Sequence, residues 1–363
     1  MKSFNIKRKF GDDIINKEYY PNFQENKINN ANSNKTLNSF KKENNLKNET
    51  PKKNSYINFK NSIICDSHIN ININENKNNP QFVDEYIDDI IKYINENESV
   101  NILNYSKENI FKLQDMKYIN EEKRKQIIEL LFYYNYKWKL NPDSVYLAIN
   151  IMDRYINIIK INNNEYELIA LASFLISSKY EDIYSPNSKS LSYIYSFKYE
   201  PEEILKKENQ ILNTLNFSLL YQSSFKFLNL LYHLSNINNE NVYYLSQFIL
   251  ELSLTDLNIM KYSQRKRAIG AFIFAKKAFG INSGKFIIQL FFSYNENEIK
   301  KLQNELFIVI KNVIFSEKRN LIAEKFRSSK YGFIFTVFEK KLKEKVDKKK
   351  NNNRKRKIMV IEN

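Results

Sequence analysis

A lysine and a glutamate stand where the helical period of this chain calls for apolar residues, and they restrict what residues 120–218 can become. From Asn164 to Asp182 the residues Leu168, Leu171, Ala172, Leu175 and Ile176 recur at spacings of three and four, which predicts a helix with one buried face. Lys179 lies eleven residues beyond Leu168, about 20° off its direction at roughly 100° per residue, so it projects from that same face. A second stripe, Pro201 to Leu215, is expected to bury Ile204, Leu205, Ile211, Leu212 and Leu215, and Glu208 falls in its middle. An acid and a base on the apolar faces of neighbouring helices are costly unless each finds a partner. Two readings follow. Either the charges pair with each other inside the fold, or the face is a binding surface that keeps them for backbone groups of another protein.

The rest of the chain narrows the chemistry. Only 5 Gly and 6 Pro in 363 residues favour long helices joined by polar loops and exclude most Gly-dependent phosphate sites, while 26 Phe and 25 Tyr supply core volume. No apolar run approaches the roughly 18 residues of a membrane helix, and the N-terminus lacks a signal-peptide core, so no membrane partner and an intracellular setting are expected. The single cysteine, Cys65, excludes internal disulfides and Cys-based zinc sites. His68 and His233 cannot form a cluster, and no nucleophile has a base nearby. Catalytic residues, metals and cofactors are therefore not expected. The net charge of +16 would suggest nucleic acid if it covered a folded face. It does not: residues 1–80 hold 14 Lys/Arg against 8 Asp/Glu and residues 340–357 hold 11 against 2, leaving residues 81–339 at +2. No direct nucleic-acid partner is expected.

Residues 1–80 are Asn/Lys-rich without a sustained period and read as disordered. Residues 81–119 hold an amphipathic helix over 82–98, with Val83, Tyr86, Ile90, Tyr93 and Ile94 on one side, and a linker. Residues 120–220 read as a five-helix unit. Its first helix spans Glu121–Tyr136; its second begins at Asn141-Pro142-Asp143, with a capping side chain, Pro at the first helical position and an acid at the positive end. The third carries Lys179, the fourth starts after Pro186 and the fifth carries Glu208. Residues 221–333 follow with Phe225, Phe227, Leu228 and Leu231, then Tyr244–Leu257, Gln264–Phe279 and Leu302–Ile314, where Ala268, Ala271 and Ala275 allow close packing. From 334 to 363 the pattern dissolves into a basic tail through Lys340-Lys341 to Arg354-Lys355-Arg356-Lys357.

Three stretches closely resemble the cyclin box in wording, order and separation: Ala148 to Ile156, Ser177 to Pro186, and Glu203 to Leu212 with Leu215-Asn216-Phe217. The five residue types of that family's signature fall on Arg124, Asp153, Leu168, Lys179 and Glu208. Ile249 to Asp256 and Glu324 to Tyr331 resemble the second half of A- and B-type mitotic cyclins, so the resemblance covers about residues 82–333. It implies an all-α protein of two consecutive five-helix folds, the second set being inferred from the family.

The resemblance also implies a regulatory subunit, not itself an enzyme, that binds and activates a cyclin-dependent protein kinase in cell-cycle control. Lys179 and Glu208 would bond to kinase backbone groups, Leu212, Phe217 and Leu219 would add apolar contact, and Tyr180, Glu181 and Ile183 would line the rim. On the N-terminal helix, Tyr86, Ile90 and Tyr93 occupy places that pack partly on the kinase in the family; packing on their own box is the equal alternative. Arg124 and Asp153 would form a structural ion pair. The family's Met-Arg-Ala-Ile-Leu docking stretch for Arg-x-Leu substrates departs here to Lys123-Arg124-Lys125-Gln126-Ile127, with Leu130 at the family's Trp position and Tyr133 at an acid. Ile127, Leu130 and Glu129 form the candidate docking patch, with an absent or altered preference.

Lys42-Glu43-Asn44 matches a ubiquitin-ligase recognition triplet, although the same triplet recurs at Lys107 and Lys207 inside segments read as helical. A second degradation pattern fits Arg8 and Asn16 but has Gly11 at its Leu position. The basic run at 354–357 reads as a nuclear-import signal or a solvated tail, and nucleus and cytoplasm are the expected locations. The rival readings are a cyclin-fold transcription adaptor, which needs a basic face and usually a zinc ribbon, and a transcription-type cyclin.

Overall fold

The computed structural model describes residues 87–100, 102–103, 110–114, 120–162, 165–235, 237, 239–281, 295–344 and 346. Tyr86, the Lys42-Glu43-Asn44 triplet and the run Arg354–Lys357 lie outside them. Among the described residues every regular element is helical. In chain order these are α1 Ile87–Glu96, α2 Glu121–Lys137, α3 Pro142–Ile158, α4 Tyr166–Glu181, α5 Ser188–Ile194, α6 Pro201–Thr214, α7 Ser224–Leu234, α8 Glu240–Ser253, α9 Leu257–Met260, α10 Gln264–Ala278, α11 Glu296–Ile314 and α12 Leu321–Lys325. A 3-10 turn, Ser329–Tyr331, and a helix over 334–344 (α13) follow.

The asparagine bias of the chain is put to local use. Asn120, Asn141, Asn187, Asn239, Asn295 and Asn320 each stand before a helix and accept a first-turn backbone N–H with the side-chain oxygen. Such a cap satisfies a donor that has no intrahelical partner and is worth about 1 kcal/mol. α3 adds Pro142 at its first position, and α6 adds a capping box between Glu200 and Glu203.

α3 is buried from Asp143 through Asp153 and runs through the middle of the first repeat, with α2, α4 and α6 packed around it. Arg124 of α2 meets Asp153 of α3: Nε donates to Oδ1 at 3.0 Å and a terminal nitrogen to Oδ2 at 2.7 Å. The other terminal nitrogen donates to the Leu254 carbonyl at 2.7 Å, so the ion pair also ties the first repeat to the second. In the second repeat α10 packs between α7, α8 and α11. Gly270 permits the close approach of α11, since a Cβ there would lie 2.7 Å from Leu302 Cδ2.

Three expectations are corrected. The tail expected from residue 334 begins instead as α13, with Ile334, Phe335, Phe338 and Leu342 buried. Phe335 packs on Phe248 at 5.3 Å between ring centres and Phe338 on Phe274 at 6.2 Å. Lys340, Lys341 and Lys343 on the outer faces conceal this stripe in the sequence. α11 begins at Glu296, not Leu302, because the Asn295 cap and the acidic first turn start it a turn and a half earlier. Leu205, expected in the core, is 41% exposed.

The repeats also meet at a carboxylate. Asp143 at the start of α3 accepts a hydrogen bond from the Ser223 hydroxyl, and Ser223 caps α7. Lys226 of α7 lies close by and pairs with Glu181 at 3.0 Å. Burial pushes the Asp143 carboxyl up to about 6, against the pull of Lys226 and Ser223. A carboxyl raised in the fold favours folding below its unfolded value, and that contribution is lost as pH rises through about 6. Asp143→Asn is therefore expected to flatten the stability profile between pH 4 and 7 by about 3 kcal/mol, read from urea unfolding across that range. An unchanged pH slope would remove the assignment.

Candidate functional site

The C-terminal half of α4 and the middle of α6 bring the two stripe charges together. Lys179 Nζ lies 2.7 Å from Glu208 Oε1 and 2.9 Å from Oε2: the two charges pair with each other, but at the surface of the fold and not inside it. The Lys179 side chain is 47% exposed and that of Glu208 10%. Lys207, next on α6, turns the other way and pairs with Glu165 at 3.3 Å.

Apolar side chains stand open on the same elements. On α4 and the loop after it these are Tyr180, Ile183 (93% exposed) and Tyr184; on α6 it is Leu205, and beyond its end Phe217 (64%). Phe217 has φ of +54°, and its N–H donates to the Leu212 carbonyl at 2.9 Å, so the helix terminator also displays the ring. A bulky non-Gly residue in left-handed backbone costs of order 1 kcal/mol and is often found at functional positions. Leu212 and Leu219 are half-buried against the core. On α1, Ile91 and Ile94 face inward and Ile90 and Tyr93 are exposed. Glu181, expected at the rim, is spent on Lys226.

The expected substrate-docking patch is not an open surface. Ile127 is buried in the core and Leu130 is half-buried. Glu129 is buried and accepts from Asn320 Nδ2 at 2.8 Å and from the Leu321 N–H at 3.2 Å, holding the start of α12. Burial raises its carboxyl. Lys123 is bound to Glu167, which also takes Lys198 at 2.7 Å; these hydrogen bonds hold the Glu167 carboxyl low against burial.

A second buried ion pair escaped the sequence reading. Lys325 Nζ lies 2.5 Å from Glu251 Oε1, both fully enclosed, with the Phe132, Phe326 and Tyr331 rings about the ammonium. Burial raises the Glu251 carboxyl and lowers the Lys325 amine, each opposed by the other. The described residues contain no cluster of His, Cys, Asp and Glu able to hold a metal, and no helix long and apolar enough to cross a membrane.

Residues 89–220 match the family described as Cyclin, N-terminal domain, and residues 223–339 match Cyclin, C-terminal domain. The chain belongs to the cyclin family. Among its relatives, human G2/mitotic-specific cyclin-B2 is 26% identical over 258 residues, covering 68% of this chain and 63% of that protein. G2/mitotic-specific cyclin-B of Spisula solidissima is 28% identical over 263 residues, covering 72% of this chain and 59% of that one. The match thus spans somewhat under two thirds of the curated relatives' length. The X-ray structure of a viral cyclin from herpesvirus saimiri superposes on the cyclin fold seen here with a TM-score of 0.52 at 16% identity, covering 61% of this chain and 97% of that one.

Proposed function

We propose that this cyclin is the regulatory subunit of a cyclin-dependent Ser/Thr protein kinase acting in cell division, and that it performs no catalysis of its own. The observation that carries the proposal is the half-open Lys179–Glu208 pair on α4 and α6, flanked by Tyr180, Ile183, Leu205 and Phe217 left exposed. An exposed apolar surface of this kind suits a protein partner. The mitotic names of the relatives support the cell-division setting.

An active kinase needs the Glu of its C-helix paired with its β3 Lys. A cyclin that binds this arrangement better than the inactive one shifts the population toward it, and moving a 1:99 equilibrium to 99:1 takes about 5.5 kcal/mol of differential affinity. Lys179 and Glu208 would supply donors and acceptors for kinase backbone groups, while Leu205, Leu212, Phe217 and Ile183 would bury apolar area. Ile90 and Tyr93 on α1 extend the set. Import through the basic run at 354–357 into the nucleus, with a cytoplasmic pool, and ubiquitin-ligase recognition of Lys42-Glu43-Asn44 belong to the same reading. The near-neutral charge of residues 81–339 disfavours the nucleic-acid adaptor.

The test is co-expression of the full chain with cyclin-dependent kinases, measuring complex formation and kinase activity. Lys179→Ala and Glu208→Ala are each expected to weaken binding roughly 30-fold or more, since truncating one member of a desolvated charge pair costs about 2–5 kcal/mol. Both variants should keep their helical circular dichroism. Undiminished binding by both would overturn the site, and failure of the parent to bind any such kinase would overturn the function.

A further inference from the structure

The loop between α4 and α5 carries a group that the docking face does not use. Ser185 is exposed, lies outside any helix, and forms no hydrogen bond with the described residues. The other serines around it stand in helices, Ser178 in α4 and Ser188, Ser190 and Ser192 in α5; of these the Ser178 hydroxyl donates to the Leu175 carbonyl at 3.0 Å and the Ser192 hydroxyl to the Tyr199 carbonyl. Pro186 follows directly, and a residue before proline is driven into extended backbone, which suits the strand-like path of a peptide in a kinase cleft. Of the 6 prolines only two follow a serine or threonine, Pro51 after Thr50 and Pro186 after Ser185, and only the second is among the described residues. Ser185 also comes one residue after Tyr184 and two after Ile183, which are 78% and 93% exposed.

We propose that Ser185 is the acceptor of a proline-directed Ser/Thr protein kinase and that a phosphate there closes the α4–α6 face to docking. The second clause rests on the kinase-binding function proposed above; the first does not. In the step itself the Ser185 Oγ forms a bond to the γ-phosphorus of ATP, the bond from that phosphorus to the β-bridging oxygen breaks, the hydroxyl proton passes to the modifying kinase's carboxylate base, and ADP leaves. The product carries a charge of about −1.5 to −2 at pH 7. Beside Ile183 and Tyr184 such a group would have to shed its water for the apolar side chains to be covered, and a dianion in an apolar contact is disruptive. Modification and docking then exclude each other: the bound chain shields the hydroxyl, and the modified chain no longer binds.

The full chain, incubated with Mg-ATP and an active proline-directed kinase, is digested and its phosphates located by mass spectrometry, with Thr50 as internal reference. Phosphate is expected on Ser185, falling tenfold or more in Pro186→Ala while Thr50 labelling is unchanged. Label on Thr50 with none on Ser185, or equal Ser185 labelling in Pro186→Ala, would overturn the acceptor assignment. In a Thr50→Ala background the phosphorylated chain is then compared with Ser185→Ala for binding to a cyclin-dependent kinase. A tenfold or greater loss on phosphorylation is expected, and equal binding would overturn the exclusion. If neither form binds any kinase, the underlying function fails while the labelling result stands by itself.

Discussion

Arg124→Ala is expected to lower the stability of the fold by about 3–5 kcal/mol, the range for removing one member of a buried ion pair. The guanidinium and the Asp153 carboxylate are both enclosed, at 1% and 0% exposure, so water cannot take the place of the lost donors. The substitution strips Asp153 of two hydrogen bonds and leaves the Leu254 carbonyl without the donor that reached it across the repeats. Arg124→Lys should recover little, because a single ammonium cannot make the two-pronged contact and reach Leu254 at once. Thermal melts read the effect: at this size each kcal/mol moves Tm by about 2–4 °C. A shift under 2 °C would mean that the pair is not the tie described here.

Lys325→Met should cost a similar amount, about 3–5 kcal/mol, for a related reason. Glu251 has no exposure, and without Lys325 its remaining hydrogen bond is the one from Gln247 Nε2 at 3.0 Å. The flexible thioether can fill the space among Phe132, Phe326 and Tyr331, so most of the loss comes from the stranded carboxylate and little from packing. Two further measurements separate these causes. The double variant Glu251→Gln with Lys325→Met should regain at least half of the lost stability, since a neutral amide is cheaper to bury. The single variant should be less impaired at pH 5 than at pH 8, because a carboxyl raised by burial favours the fold when protonated and loses that contribution as pH rises. No recovery in the double variant would assign the loss to packing.

What the sequence discloses here follows the range over which each signal acts. α3 is readable from its start, because Asn141, Pro142 and Asp143 are local signals and the apolar run over 145–149 follows them closely. The directions of Lys179 and Glu208 were readable from helical period alone. Period cannot say what a stripe faces, however, and Leu205 shows the cost: an apolar residue on an open face obeys the same spacing as one in the core. Ile127 illustrates the converse, an expected surface residue that faces inward. Lys325 with Glu251, and Asp143 with Ser223, are 74 and 80 residues apart, and nothing within a few residues of either partner announces the other. α13 was hidden because the lysines on its outer side swamp a four-residue apolar stripe.

The closed state of Lys179 and Glu208 bears on how a partner would arrive. Held at 2.7 Å, the two charges form a short dipole whose field decays quickly, so the face offers little long-range attraction to an approaching protein. Encounter would run near the unsteered rate of about 10⁵–10⁶ M⁻¹s⁻¹ and feel ionic strength only weakly. In the docking proposed above, the ion pair would open on contact, trading its two internal hydrogen bonds for bonds to the partner, and a protein without matching backbone groups would gain nothing from opening it. Choice among partners is in that case made after collision, in how long each one stays.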